Sequence, residues 1–129
     1  MNGRNTIRAL FLIAGTYDGI LGLAFLAVPA SIFATFAVPP PNHWGYVQFP
    51  AALLIVFALM FFAVGTKPER NRNLIPYGIL LKVSYSGVVF GWWMTSGIPG
   101  MWKPFAVFDI IFAGLFVWAY RSLGMSTGD

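Results

Sequence analysis

Four stretches of this chain run for about twenty residues each with almost no charge, the length a helix needs to cross a bilayer. They cover residues 7–28, 47–65, 74–95 and 104–120 of 129. A soluble domain carries about 25% charged residues to wet its surface. Here only 9% are charged and 58% are hydrophobic. So few charges cannot cover a water-facing exterior, so the exterior must face lipid. The expected fold is all-α: a single integral membrane domain built as a four-helix bundle. The fourth stretch is the shortest and should stand nearly upright. The second has no charge from Ala51 to Val64 and reads mainly as packing.

The loops give the direction. Arg4 and Arg8 precede the first span, Lys67, Arg70 and Arg72 lie between the second and third, and Arg121 follows the fourth. The opposite side carries only Lys103, a ratio of six to one. By the positive-inside rule both termini are cytoplasmic. The net charge of +4 sits in short clusters beside apolar segments, as expected of residues that fix topology or meet anionic lipid, and it does not form a nucleic-acid footprint. Residues 1–30 also mimic a signal peptide, with a basic start and small residues at the end. Asp18 near the centre and the length of the apolar stretch favour a retained span.

Trp44, Tyr46, Trp92, Trp93 and Trp102 gather near the predicted outer boundary, where amphipathic rings prefer the headgroup level. Residues 31–38 are apolar but too short to cross. They predict a short interfacial helix capped by Ser31, with Phe33 and Phe36 dipping into acyl chains. Pro39, Pro40 and Pro41 then impose extended backbone.

Three ionisable residues fall inside spans: Asp18, Lys82 and Asp109. Each costs about 2.5–3.5 kcal/mol at a helix centre, so such residues normally face the bundle interior and pair. At 1.5 Å per residue, Asp18 and Asp109 each lie about 16 Å from the cytoplasmic ends of their spans, and Lys82 about 12 Å with a flexible stem. All three can meet in one layer. Their stripes agree: Gly15 and Gly22 around Asp18, Gly78, Tyr85 and Ser86 around Lys82, and Ala106 and Ala113 around Asp109 are small or polar residues at helix-neighbour spacing, and Gly15 with Gly19 allows close helix approach. One reading is a structural ion cluster holding spans one, three and four together. The other starts from the count. Two carboxylates and one ammonium leave an excess of one negative charge, which favours a retained proton and suits proton relay, cation binding or a polar ligand head.

Tyr85 joins this candidate site, and Tyr17 would join it only by pointing into the charged layer. His43, Trp44 and Gln48 are the outer-side candidates: His43, beside Trp44, for protonation or contact with a quinone or lipid head, and Gln48, at the head of the second span, for a hydrogen bond within the bundle or at the interface. A solvated loop histidine is the plainer reading of His43. With no cysteine and one histidine, thiolate metal sites, disulfides and bis-histidine haem are excluded, and no metal site is expected. No nucleophile–base pair, phosphate-cradling loop or metalloprotease motif is present, which argues against a dedicated hydrolase.

An in-span Asp18-Gly19, a later in-span Lys82 and Asp109 in the last of four spans resemble the small bacterial DoxX-like membrane proteins. That resemblance implies a bacterial inner-membrane accessory subunit or hydrophobic-ligand binder. It also implies a link to quinone-dependent sulfur-compound oxidoreductases; the expected partners are the lipid bilayer and either a partner membrane subunit or a second copy in a homo-oligomer. The small multidrug transporters also have four short spans with an acidic residue in the first, but Lys82 and Asp109 are extra to their pattern. The leading expectation is a non-enzymatic accessory subunit or lipid-like (quinone-type) ligand binder. The alternatives are a small proton-coupled transporter or channel, and a membrane subunit of a quinone-linked oxidoreductase. The discriminator is spatial: a transporter needs a polar path to both sides, and a ligand binder needs a blind apolar pocket.

Overall fold

The computed structural model describes residues 3–127. Its order is α1 (Gly3–Ala27), α2 (Pro29–Thr35), α3 (Gly45–Thr66), a 3-10 turn at Arg72–Leu74, α4 (Ile75–Met94), a second 3-10 turn at Gly100–Trp102 and α5 (Lys103–Thr127). No strand occurs among the described residues. Four of the helical segments are long and apolar enough to cross a membrane. Their outward faces carry Ile13, Ile20, Leu59, Leu80, Val88 and Ile111, all exposed. α5 continues well past Tyr120, where the sequence predicts the last span to end, and at 25 residues it matches α1. It is therefore not the shortest element: polar Arg121 and Ser122 are good enough helix formers to carry the helix beyond its apolar stretch.

The link after α1 shows how local chemistry sets the turn. α1 ends at Ala27, and Pro29 opens α2 at a position where a missing N–H costs nothing. The cap position is Val28, without a side-chain bond, so Ser31 lies inside the helix and does not cap it. At the other end Ala37 takes a left-handed φ of 55°. This lets Val38 N–H donate to the Phe33 carbonyl at 2.8 Å and Ala37 N–H to that of Ala34 at 3.1 Å, the Schellman arrangement. Phe33 and Val38 both turn into a core with Phe25, Ala51 and Met101. Phe33 thus packs within the protein and does not point at acyl chains, because Phe25, Trp44 and Trp102 give it ring contacts. Phe36 is exposed, as expected.

The bundle is two antiparallel hairpins. α1 packs chiefly on α3, and α4 on α5. Glycines let the first pair approach closely: a Cβ at Gly22 would lie 2.7 Å from the Ala51 carbonyl oxygen, and one at Gly15 3.1 Å from that of Ala58. Neither carbonyl can move without bending α3. Gly22→Val should therefore lower stability by about 1–3 kcal/mol, read as a fall in melting temperature in detergent. A melting temperature equal to wild type would contradict this close approach.

All six of the grouped basic residues lie at one end of the bundle. There Arg8 Nε donates to the Gly65 carbonyl at 3.2 Å, joining α1 to α3. Arg72 Nε donates to the Tyr120 carbonyl at 2.9 Å, with its guanidinium 3.8 Å above the Tyr120 ring. Arg4 pairs with Glu69 at 2.9 Å, an exposed contact that contributes little. Beneath this end is a dry core of Ile7, Phe11, Phe61, Ile75, Phe116 and Leu123. The opposite end carries the aromatic residues. Tyr46, Trp92 and Trp93 face outward, Trp44 and Trp102 pack on Phe33, and Lys103 Nζ sits 4.7 Å above the Trp93 ring.

Candidate functional site

The three in-span ionisable residues meet between the two cores. Asp18 on α1, Lys82 on α4 and Asp109 on α5 are all buried. Each side chain sits on the small-residue stripe of its helix. Gly78 leaves room for Phe61, whose Cε1 would lie 2.6 Å from an added Cβ. Ser86 Oγ donates to the Ala106 carbonyl at 2.9 Å, which registers α4 against α5 one turn beyond Lys82. Ala106 and Ala113 are buried on the inward face of α5. The stripes around Lys82 and Asp109 therefore turn inward as their spacing predicts, while Gly15 and Gly22 serve the contact with α3.

The Lys82 ammonium is held by both carboxylates. Nζ donates to Asp18 Oδ1 at 2.8 Å, to Asp18 Oδ2 at 2.9 Å and to Asp109 Oδ1 at 3.1 Å. The two oxygens of one carboxylate subtend a narrower angle than two N–H bonds, so Asp18 takes one ammonium proton in a forked bond and Asp109 takes another. Its charge also faces the rings of Phe112 at 5.1 Å, Tyr17 at 5.4 Å and Phe61 at 5.6 Å. Such rings favour a cation electrostatically. Tyr17 thus does point at the charged layer, though its hydroxyl is buried without a partner among the described residues. The cluster links hairpin to hairpin: Asp18 belongs to the first, Lys82 and Asp109 to the second.

Beside the cluster is a cavity of about 420 Å³. Its walls come from α1 (Leu21, Phe25), α3 (Val47, Pro50, Ala51, Leu54, Phe57), α4 (Leu81, Tyr85) and the start of α5 (Phe105), with Trp102 at the outer end. Asp18 and Asp109 line it too, whereas Lys82 does not. The carboxylates therefore screen the ammonium from the cavity. Tyr85 O–H donates to the Trp102 carbonyl at 2.9 Å, so its proton is committed. Tyr46 and Leu53 belong both to the lining and to the exposed exterior, so the cavity reaches the outside there. Toward the basic end it stops: Phe11 and Phe116 stack at 4.6 Å and Phe61 lies 5.1 Å from Phe116, filling the bundle below the carboxylates.

Of the sequence-derived candidates, Asp18, Lys82, Asp109 and Tyr85 come together at one place. His43, Trp44 and Gln48 do not join them. His43 Nδ1 accepts the Gly45 N–H at 2.9 Å in an exposed turn, Trp44 packs on Phe33, and Gln48 Nε2 donates to the Leu26 carbonyl at 3.1 Å. The α3 wall is what sequence reading passes over as plain packing. Its one visible signal is Pro50 within the helix, which lacks an N–H and lines the cavity. No cluster of three or more metal-ligating residues occurs among the described residues.

No family model matches this chain, and neither the curated proteins nor the solved structures contain a significant match.

Proposed function

We propose that this chain is a multi-pass protein of the bacterial inner membrane, with both termini cytoplasmic, that binds a lipid-like amphiphile between its two helical hairpins. The ligand's tail lies against Leu21, Leu54 and Phe57, and its polar head meets the carboxylates of Asp18 and Asp109. The observation that carries this reading is a cavity that is apolar along its walls, polar only at its inner end and closed toward the basic end. A blind pocket of this kind suits a binder, whereas a transporter needs a polar path on both sides of the charged layer. A role as accessory subunit follows naturally: the bundle holds the ligand, and a partner uses it. The charge asymmetry of the loops supports the orientation.

Two experiments test the parts separately. Reporter fusions at residue 129 (beyond the described residues) and within residues 67–72 are expected to read cytoplasmic, and those within residues 39–45 external. An external C-terminus contradicts the orientation. For the ligand, a long-chain alcohol or amine carrying a diazirine in its chain is expected to label the cavity residues Val47, Pro50, Ala51, Phe57 and Tyr85 above the outward Leu59 and Leu80. Labelling confined to the outward faces contradicts the pocket.

A further inference from the structure

The polar end of the cavity says what kind of head group it takes. Lys82 Nζ bonds both oxygens of Asp18 and Oδ1 of Asp109. Asp109, 8% exposed and lining the cavity, bonds Lys82 through Oδ1 alone. Its second oxygen, Oδ2, has no hydrogen-bond partner among the described residues. Among the residues that line the cavity, the inner end thus presents an acceptor and no free donor: the Tyr85 proton is committed, and neither Lys82 nor the unpartnered Tyr17 hydroxyl belongs to the lining. With both carboxylates ionised, two against one ammonium leave one negative charge uncompensated. The same cavity is lined by the aromatic residues Phe57, Tyr85 and Phe105, and aromatic rings favour a cation.

Resting on the binding role proposed above, we infer that the ligand is a single-headed amphiphile with a protonated amine, its ammonium donating to Asp109 Oδ2 and restoring neutrality to the buried layer. The bilayer sharpens this argument. A tail leaving lipid for an apolar pocket gains little, because lipid chains are as apolar as leucine. Affinity must then come from the head. A head that only accepts, such as a ketone or quinone carbonyl, meets an acceptor at Asp109 and finds no donor there. A neutral hydroxyl donates but leaves the charge uncompensated.

Three decyl probes separate these cases: decylamine, decanol and 2-decanone, titrated calorimetrically into the full chain in a nonionic detergent at neutral pH. The expected order is amine, alcohol, ketone, with the amine tighter than the alcohol by about tenfold or more, the range for a hydrogen bond to a charged group. The variant with Leu54→Trp and Leu81→Trp, whose indoles occupy the cavity, serves as the blank for partition into micelles. Asp109→Asn is expected to bring the amine down to the alcohol's affinity, while Asp109→Glu retains the preference. If Asp109→Asn does not fold, the wild-type order alone decides. A ketone binding as tightly as the amine overturns the head-group inference and leaves the pocket standing. No difference between wild type and the blank for any probe overturns both.

Discussion

Lys82→Met is expected to be the most damaging single substitution, lowering stability by about 3–5 kcal/mol. The reason is the three-way bond. Lys82 sits at 2.8 and 2.9 Å from the two oxygens of Asp18 and 3.1 Å from Asp109, and all three residues are buried. Methionine fills the stem's volume but leaves two carboxylates facing each other inside the bundle without a counter-ion. Because Asp18 stands on one hairpin and Lys82 on the other, repulsion would act across the joint between hairpins. Adding Asp109→Asn to Lys82→Met should recover part of the loss, since asparagine keeps the shape and removes one of the two charges. The check is the melting temperature in detergent of the wild type, both single variants and the double. A double variant less stable than Lys82→Met by the full cost of Asp109→Asn would show that the residues are not coupled.

The layer itself is legible in the sequence, and its surroundings are not. Counting 1.5 Å per residue places Asp18, Lys82 and Asp109 at compatible depths, and small residues at three and four positions mark the inward faces. Both follow from helix periodicity, a property of each segment alone. The partner of each helix follows from no such rule. The glycines beside Asp18 serve the contact with α3, through Gly22 against Ala51 and Gly15 against Ala58, and not the contact with the helix bearing Lys82. Phe33 illustrates the same limit. Residues 31–38 read as an interfacial helix, but the left-handed turn at Ala37 and the rings of Phe25 and Trp102 draw Phe33 inward. The cavity is the least legible feature, because a void depends on helices that do not touch. α3 reads as featureless apolar sequence, yet it supplies the longest wall.

The second large effect concerns that wall. Leu54 on α3 and Leu81 on α4 face the cavity, and Leu54→Trp with Leu81→Trp puts two indoles into it. A head group that can no longer reach Asp109 forfeits a charge-assisted hydrogen bond, and binding should fall by about tenfold to a hundredfold. Stability should hold or rise, because space inside the bundle is filled without crowding the Asp18–Lys82–Asp109 layer. Leu59→Trp with Leu80→Trp makes the same chemical change on the same helices, at outward positions that are 63% and 59% exposed, and should leave binding unaltered.

The pocket as a ligand site is tested most directly by photolabelling these two paired variants beside the wild type with a diazirine-bearing long-chain amine, in membranes, followed by peptide mapping. Wild type and the outward pair are expected to carry label on the cavity residues Val47, Pro50, Ala51, Phe57 and Tyr85, and the inward pair to lose it. Equal labelling of those residues in all three proteins would contradict the account.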